Sequence, residues 1–170
     1  MAEPRALLAT IAGLALAQGP RAAPILLWAR MREGVECDLV VAGAGSFVFA
    51  LVAPERFAPG RQVRRAAWVL APAVAAYRQL GVRAYSEGAD LCLNGARIAR
   101  ACVATVGGCV VASGSFLAGI PGAGFEEKIV EAVFRSRLEA QLGWQFDTSW
   151  AGASERAAIA EALSEAGVPQ

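Results

Sequence analysis

The stretch Gly88-Ala89-Asp90-Leu91-Cys92-Leu93-Asn94-Gly95-Ala96-Arg97-Ile98-Ala99-Arg100 decides how the rest of the chain is read. An acidic residue, Asp90, leads through a short apolar strand to Asn94-Gly95, and a basic, strand-like run resumes at Arg97. Downstream, Arg97 to Val106 and Cys109 to Leu117 flank Gly107-Gly108, a two-residue turn signal that predicts a hairpin. In that register Cys102 faces Ser113 and Val106 faces Cys109. Cys102 and Cys109 then lie roughly 13 Å apart along the ladder, beyond the reach of a disulfide.

Upstream, Val82 to Tyr85 reads as a short strand followed by a turn around Ser86 to Gly88. Gln62 to Leu80 reads as a helix capped by Gly81, with Pro72 marking either a kink or a later start. Cys37 to Ala42 and Ser46 to Val52 are strand candidates on either side of Gly43-Ala44-Gly45. In the second, Phe47 and Phe49 share one face and Val48 and Ala50 the other. Arg5 to Gln18 is a helix with Pro4 near its first turn, stopped by Gly19-Pro20 before the strand Ile25 to Trp28. At the far end, Phe125 to Leu142 carries an apolar stripe of Ile129, Val130, Val133, Phe134 and Leu138, and Gly143 ends it. Gly119 to Gly124 reads as a loop, and Ser154 caps a last helix from Glu155 to Glu165. The expectation is one α+β domain over residues 1–170, with a mixed, largely antiparallel sheet and helices packed mainly on one face.

The ordered series resembles the catalytic domain of biotin and lipoate protein ligases, including lipoate-protein ligase A and octanoyltransferases, over about residues 4 to 165. In that family the Asn-Gly strand leads to Gly-x-Lys-Ile-x-Gly. Gly43-Ala44-Gly45 resembles the remnant of the Gly-rich loop lining the acyl-adenylate pocket. Leu80-Gly81-Val82 and Gly114-Ser115-Phe116-Leu117 resemble the segments before and after the lysine strand. The resemblance implies ligand contacts at Gly43, Ala44, Gly45, Asn94, Gly95, Arg97, Arg100 and Gly114.

The departures fall at the chemistry. Arg97 stands where the family carries lysine, and a planar guanidinium does not replace a compact ammonium that holds an acyl-adenylate. Nor does it exchange a proton at neutral pH. Arg100 stands at the glycine of Lys-Ile-x-Gly, where it either fills the space near a ligand or turns away. Val40-Val41-Ala42 replaces the paired arginines of lipoate ligases, and the chain has no histidine. The expected protein is therefore a catalytically silent homologue, a pseudoenzyme, that binds a small acid, a lipoyl-type carrier or another protein. The alternative is a divergent acyltransferase or ligase that uses ATP with lipoate, octanoate or biotin to modify a carrier-protein lysine.

Composition narrows the partners. At 170 residues, 56% hydrophobic and 18% charged, the chain is long and apolar enough for a real core. A net charge of +1 offers no field for a nucleic-acid backbone. Without histidine there is no Ser-His-Asp or Cys-His catalysis, and four cysteines without C-x-x-C spacing imply no metal site. Their apolar surroundings suit free thiols in a cytoplasmic protein. The run from Ala6 to Ala17 also imitates a secretory signal, although Glu3 offsets Arg5 and Gly13 interrupts it. It falls short of the ~20 residues of a membrane span.

Several residues keep two readings. Arg97 either binds a carboxylate or phosphate bidentately or is an exposed strand arginine. Cys102 is a nucleophile or a structural thiol; the single-strand register places it on the face opposite Arg97. Arg61, Arg64 and Arg65 receive an acidic carrier or form a solvated face. Trp144, Phe146 and Trp150 cover a partner or homodimer surface, or pack the last helix onto the sheet.

Overall fold

The computed structural model describes residues 3–17, 23–116, 126–147 and 153–166. Leu117, the 119–124 loop, Trp150 and the Gly19-Pro20 stop lie outside them. Two long strands form its centre, β4 (Phe47–Pro54) and β9 (Cys109–Phe116), and every residue of both is buried. With β1 (Ile25–Arg30) and β8 (Cys102–Val106) they make a sheet in the order β1-β4-β9-β8. A three-stranded sheet joins β5 (Tyr85–Glu87), β6 (Asp90–Leu93) and β7 (Ala96–Arg100), and a two-stranded one joins β2 (Val35–Glu36) and β3 (Val41–Ala42). Every strand pairing among the described residues is antiparallel. The α+β class with an antiparallel sheet is the one expected from the sequence.

The pleat of β4 sorts its side chains into two cores. Phe47, Phe49 and Leu51 face a core closed by α2 (Arg65–Gln79) and α3 (Glu127–Leu142). Val48, Ala50 and Val52 face a second core with Leu7, Ile11 and Leu14 of α1 (Pro4–Ala17). The helix α4 (Ala153–Glu165) lies on α1 rather than on the sheet. Gly13 explains how closely: a Cβ there would stand 2.7 Å from the carbonyl oxygen of Ala158. The helices thus divide between the two faces more evenly than the one-sided packing expected. The run that imitates a secretory signal is a helix built into the second core. None of the helices among the described residues is long and apolar enough to cross a membrane.

The hairpin around Gly107-Gly108 has the expected register, with Cys102 opposite Ser113 and Val106 opposite Cys109. Its first strand is shorter than expected. The run from Arg97 to Val106 breaks at Ala101, whose N–H donates to the carbonyl of Ala89 at 2.8 Å. Arg97 therefore belongs to a different sheet from Cys102. Asn94 and Gly95 form a second turn, with φ of 51° and 80°, so the stretch from Asp90 to Arg100 is itself a hairpin.

Other boundaries moved for local reasons. Cys37 to Ala42 is no single strand, because the Cys37 N–H closes a turn onto the Val40 carbonyl at 2.9 Å. Val82 to Ala84 is a turn after α2, and strand pairing begins only at Tyr85. Pro72 lies inside α2, which starts at Arg65 after a 3₁₀ turn at Gln62–Arg64. Ser154 lies within α4. At the end of α3, Gly143 takes the left-handed conformation (φ 62°) expected of a C-terminal cap.

Candidate functional site

The strand β3 rests against both β7 and β9, which brings together three of the segments singled out in the sequence. These are the Gly-rich turn after β3, the Arg97 strand and the Gly114 strand. Asn94 and Gly95 lie apart from the cores, exposed at the tip of the β6–β7 hairpin.

On β7 the two arginines differ. Arg97 is exposed and faces Cys92 across the ladder. Arg100 faces Asp90 and grips it with two bonds, Nε to Oδ1 at 2.7 Å and a terminal nitrogen to Oδ2 at 3.3 Å. This fork holds the Asp90 carboxyl below its ordinary value, chiefly through the hydrogen bond; burial, the next-largest effect, opposes it, and the charges of Arg100 and Arg97 add to the lowering. The Arg100 side chain, 45% exposed, turns to Asp90 across the hairpin. It is committed to its strand partner.

Gly43-Ala44-Gly45 is a tight turn with its own internal bonds. The Gly45 N–H donates to the Met31 carbonyl at 2.9 Å and the Ser46 N–H to the Gly43 carbonyl at 3.2 Å. Gly45 needs its glycine for a φ of 77°. Two of the donors an anion would require are thus taken by backbone carbonyls, one within the turn and one of Met31.

Gly114 does make the close approach implied by a glycine at that position, but to protein. A Cβ on it would lie 2.7 Å from Cζ of Phe49. Phe49 belongs to an aromatic cluster with ring centroids 4.4 Å from Phe134 and 5.9 Å from Phe116, and Tyr77 sits 5.1 Å from Phe116. Trp28 forms one edge of the cluster, 5.6 Å from Phe116 and 6.1 Å from Phe47. Its indole Nε1–H is buried with no acceptor among the described residues. A buried unpaired donor costs about 1–3 kcal/mol, which an incoming acceptor would recover. In the sequence Trp28 was only the end of a strand; the orphaned donor depends on tertiary packing, and no local signal reveals it.

Cys102 is a structural thiol here. Its Sγ–H points to the Cys37 carbonyl at 3.8 Å, and burial pushes its pKa up, away from thiolate. Ser113, opposite it and fully buried, donates its hydroxyl to the Leu39 carbonyl, pinning the β2–β3 connection to β9.

Arg65 departs from the expected basic cluster. Arg61 and Arg64 are exposed, but Arg65 turns inward to Glu55 at 3.1 Å, Thr105 at 3.0 Å and the Pro59 carbonyl at 3.0 Å. Of the C-terminal aromatics, Trp144 and Phe146 lie among the described residues, and Trp144 is partly exposed. Trp144 sets its ring edge against Phe57, and Phe146 joins the α2–α3 core.

Neither a protein-family model nor a curated protein matches the chain. Solved structures do. Protein Ta0514 from T. acidophilum with bound lipoic acid superposes with a TM-score of 0.80 at 13% identity, covering 97% of this chain and 93% of that one. Lipoate-protein ligase A bound with ATP gives 0.76 at 13% identity, over 99% and 95%. A biotin acetyl coenzyme A carboxylase synthetase from Helicobacter pylori with bound biotinylated ATP gives 0.58 at 17%, over 71% and 63%. The chain has the biotin and lipoate protein ligase fold. Within that fold, Arg97 and the β6–β7 hairpin stand at the segment the sequence resemblance singled out.

Proposed function

We propose that this chain is a catalytically silent domain of the ligase fold, which binds a small apolar acid without activating or transferring it. One observation carries the reading. The only lysine in the chain, Lys128, is exposed in the first turn of α3, and β7 offers two arginines, one exposed and one tied to Asp90. Conjugating enzymes must stabilise charge developing on phosphoryl and acyl oxygens, and removing one such donor commonly lowers the rate by on the order of 10²–10³. Here the β7 lysine and the paired arginines that the resemblance calls for are missing, and the chain has no histidine. Binding is supported by Trp28, whose unpaired indole N–H at the edge of an aromatic cluster suits a carbonyl or carboxylate oxygen attached to an apolar chain.

The test uses the intact protein with ATP, an acceptor lipoyl domain and, in turn, octanoate, lipoate and biotin. The expected result is no mass increase on the acceptor, together with a rise in Tm with octanoate or lipoate that Trp28→Phe diminishes. Arg97→Lys alone should not restore transfer, because Arg100 and the absent paired arginines leave the pocket without its other cations. Acceptor modification by the unmutated protein would establish the divergent-enzyme alternative instead. No thermal shift with any of the acids would leave a lipoyl-type carrier or another protein as the ligand.

A further inference from the structure

The outer face of α2 carries a feature that acid binding does not use. Ala67, Ala71 and Ala75 succeed one another at one-turn spacing, forming a straight trough roughly 12 Å long at 1.5 Å per residue. Tyr85 of β5 forms a wall, and the groove encloses about 730 Å³. At its end stand two arginines, Arg78 of α2 and Arg137 of α3.

Both guanidiniums are held in place without being neutralised. Arg78 donates Nε to the Ala84 carbonyl at 3.1 Å, and Arg137 donates Nε and a terminal nitrogen to Gln79 Oε1 at 3.0 and 2.6 Å. All 15 acidic residues of the chain lie within the described residues, yet no ion pair among those residues engages Arg78 or Arg137. Two pre-oriented cations beside a shallow alanine floor therefore face solvent without a carboxylate.

We propose that this groove docks a short acidic helix of a partner protein. Alanines on one face let a second helix approach to an interaxial distance of about 8 Å, the close end of the usual range. Carboxylates flanking its small-residue face would meet Arg78 and Arg137. A second copy of this chain is the poorer occupant. A two-fold interface sets the patch against itself, and the patch carries arginines but no carboxylate to meet Arg78 and Arg137. This docking is separate from acid binding, because Trp28 lies in the core beneath the inner face of α2.

The test titrates the full chain with a synthetic helical peptide bearing an alanine-leucine stripe flanked by glutamates, beside its glutamine counterpart. Fluorescence anisotropy should show the glutamate peptide binding at least tenfold more tightly at low salt, with the preference collapsing in 0.5 M salt to roughly none. Arg137→Gln should weaken binding severalfold. Ala71→Trp, on an exposed position that leaves the fold intact, should abolish it while leaving any thermal shift with octanoate unchanged. Failure of the glutamate peptide to bind, or equal binding of both peptides, overturns the proposal without touching acid binding. Self-association removed by Ala71→Trp overturns it in favour of a second copy.

Discussion

Gly114→Ala tests whether the glycine of β9 serves protein packing rather than ligand access. The added methyl would lie 2.7 and 2.8 Å from two carbons of the Phe49 ring, where ordinary carbon contacts begin near ~3.5 Å. The ring would have to retreat by about 1 Å, toward Phe134 only 4.4 Å away. Overpacking of this kind costs about 1–3 kcal/mol. The φ of Gly114 is not in the left-handed region, so alanine also gains about 0.4–1 kcal/mol by restricting the unfolded chain. The net expectation is a loss of about 1–2 kcal/mol, read as a Tm lower by roughly 3–6 °C for a chain of this size. Urea unfolding of Gly114→Ala, Phe49→Leu and the double variant would measure it. With the ring removed, the methyl has room, so the two losses should fall short of additivity by about 1 kcal/mol. A Gly114→Ala protein as stable as the parent, or strictly additive losses, would refute the assignment of this space to Phe49.

Arg65→Ala should destabilise the protein by about 2–3 kcal/mol, because it strips bonds from Thr105 and the Pro59 carbonyl; Glu55, half exposed, is rehydrated. Arg65→Lys should recover less than half of this, since an ammonium cannot span three acceptors; full recovery in urea unfolding would contradict the fork geometry. The Asp90 carboxyl has a depressed folded pKa, so its pairing stabilises the fold above the ordinary carboxylate value of about 3.9 and is lost as pH falls through the folded value. Arg100→Gln should move the Asp90 titration up toward that ordinary value in carboxyl-carbon NMR, and an unmoved titration would refute the pair. Burial raises the pKa of Cys102 and Cys109, so both should react slowly with a thiol reagent in the native protein. All four thiols should titrate after denaturation without reductant, and recovery of two or fewer would mean a disulfide.

Where local chemistry and tertiary packing agreed, the sequence was readable. The α3 stripe buries Val130, Phe134 and Leu138, Gly143 caps the helix, and Gly107-Gly108 turns the hairpin in the expected register. Ile129, placed in the same stripe, is 47% exposed because the face that α2 and the sheet cover is narrower than the apolar pattern. The Asn94-Gly95 turn was available as an Asn-Gly signal, but the apolar continuity from Ile98 to Val106 concealed the break at Ala101. At that point Ala101 still pairs with Ala89 at the open end of the β6–β7 hairpin, and Cys102 then joins β9 in the other sheet, a change of partner that periodicity cannot carry. The inward turn of Arg65 and the orphaned Trp28 donor are likewise products of packing. They became visible only when Thr105 and the aromatic cluster were in place.

The residues singled out by the family resemblance and those that hold the fold are largely different sets. Gly43, Ala44, Asn94, Gly95, Arg97 and Arg100 are exposed, in turns or on the small sheet. The buried aromatic cluster and the two central strands do not depend on any of their side chains. A change of side chain at the exposed Arg97 would therefore leave the core untouched, and surface substitutions of this kind usually change stability by about 0.5 kcal/mol or less. Gly114 is the exception, because it lies in a central strand and its missing side chain is the space Phe49 occupies. A fold shared with ligases at 13% identity is thus physically compatible with different side chains at these exposed positions. The core enforces the arrangement of strands, and nothing in that arrangement enforces a lysine at its edge.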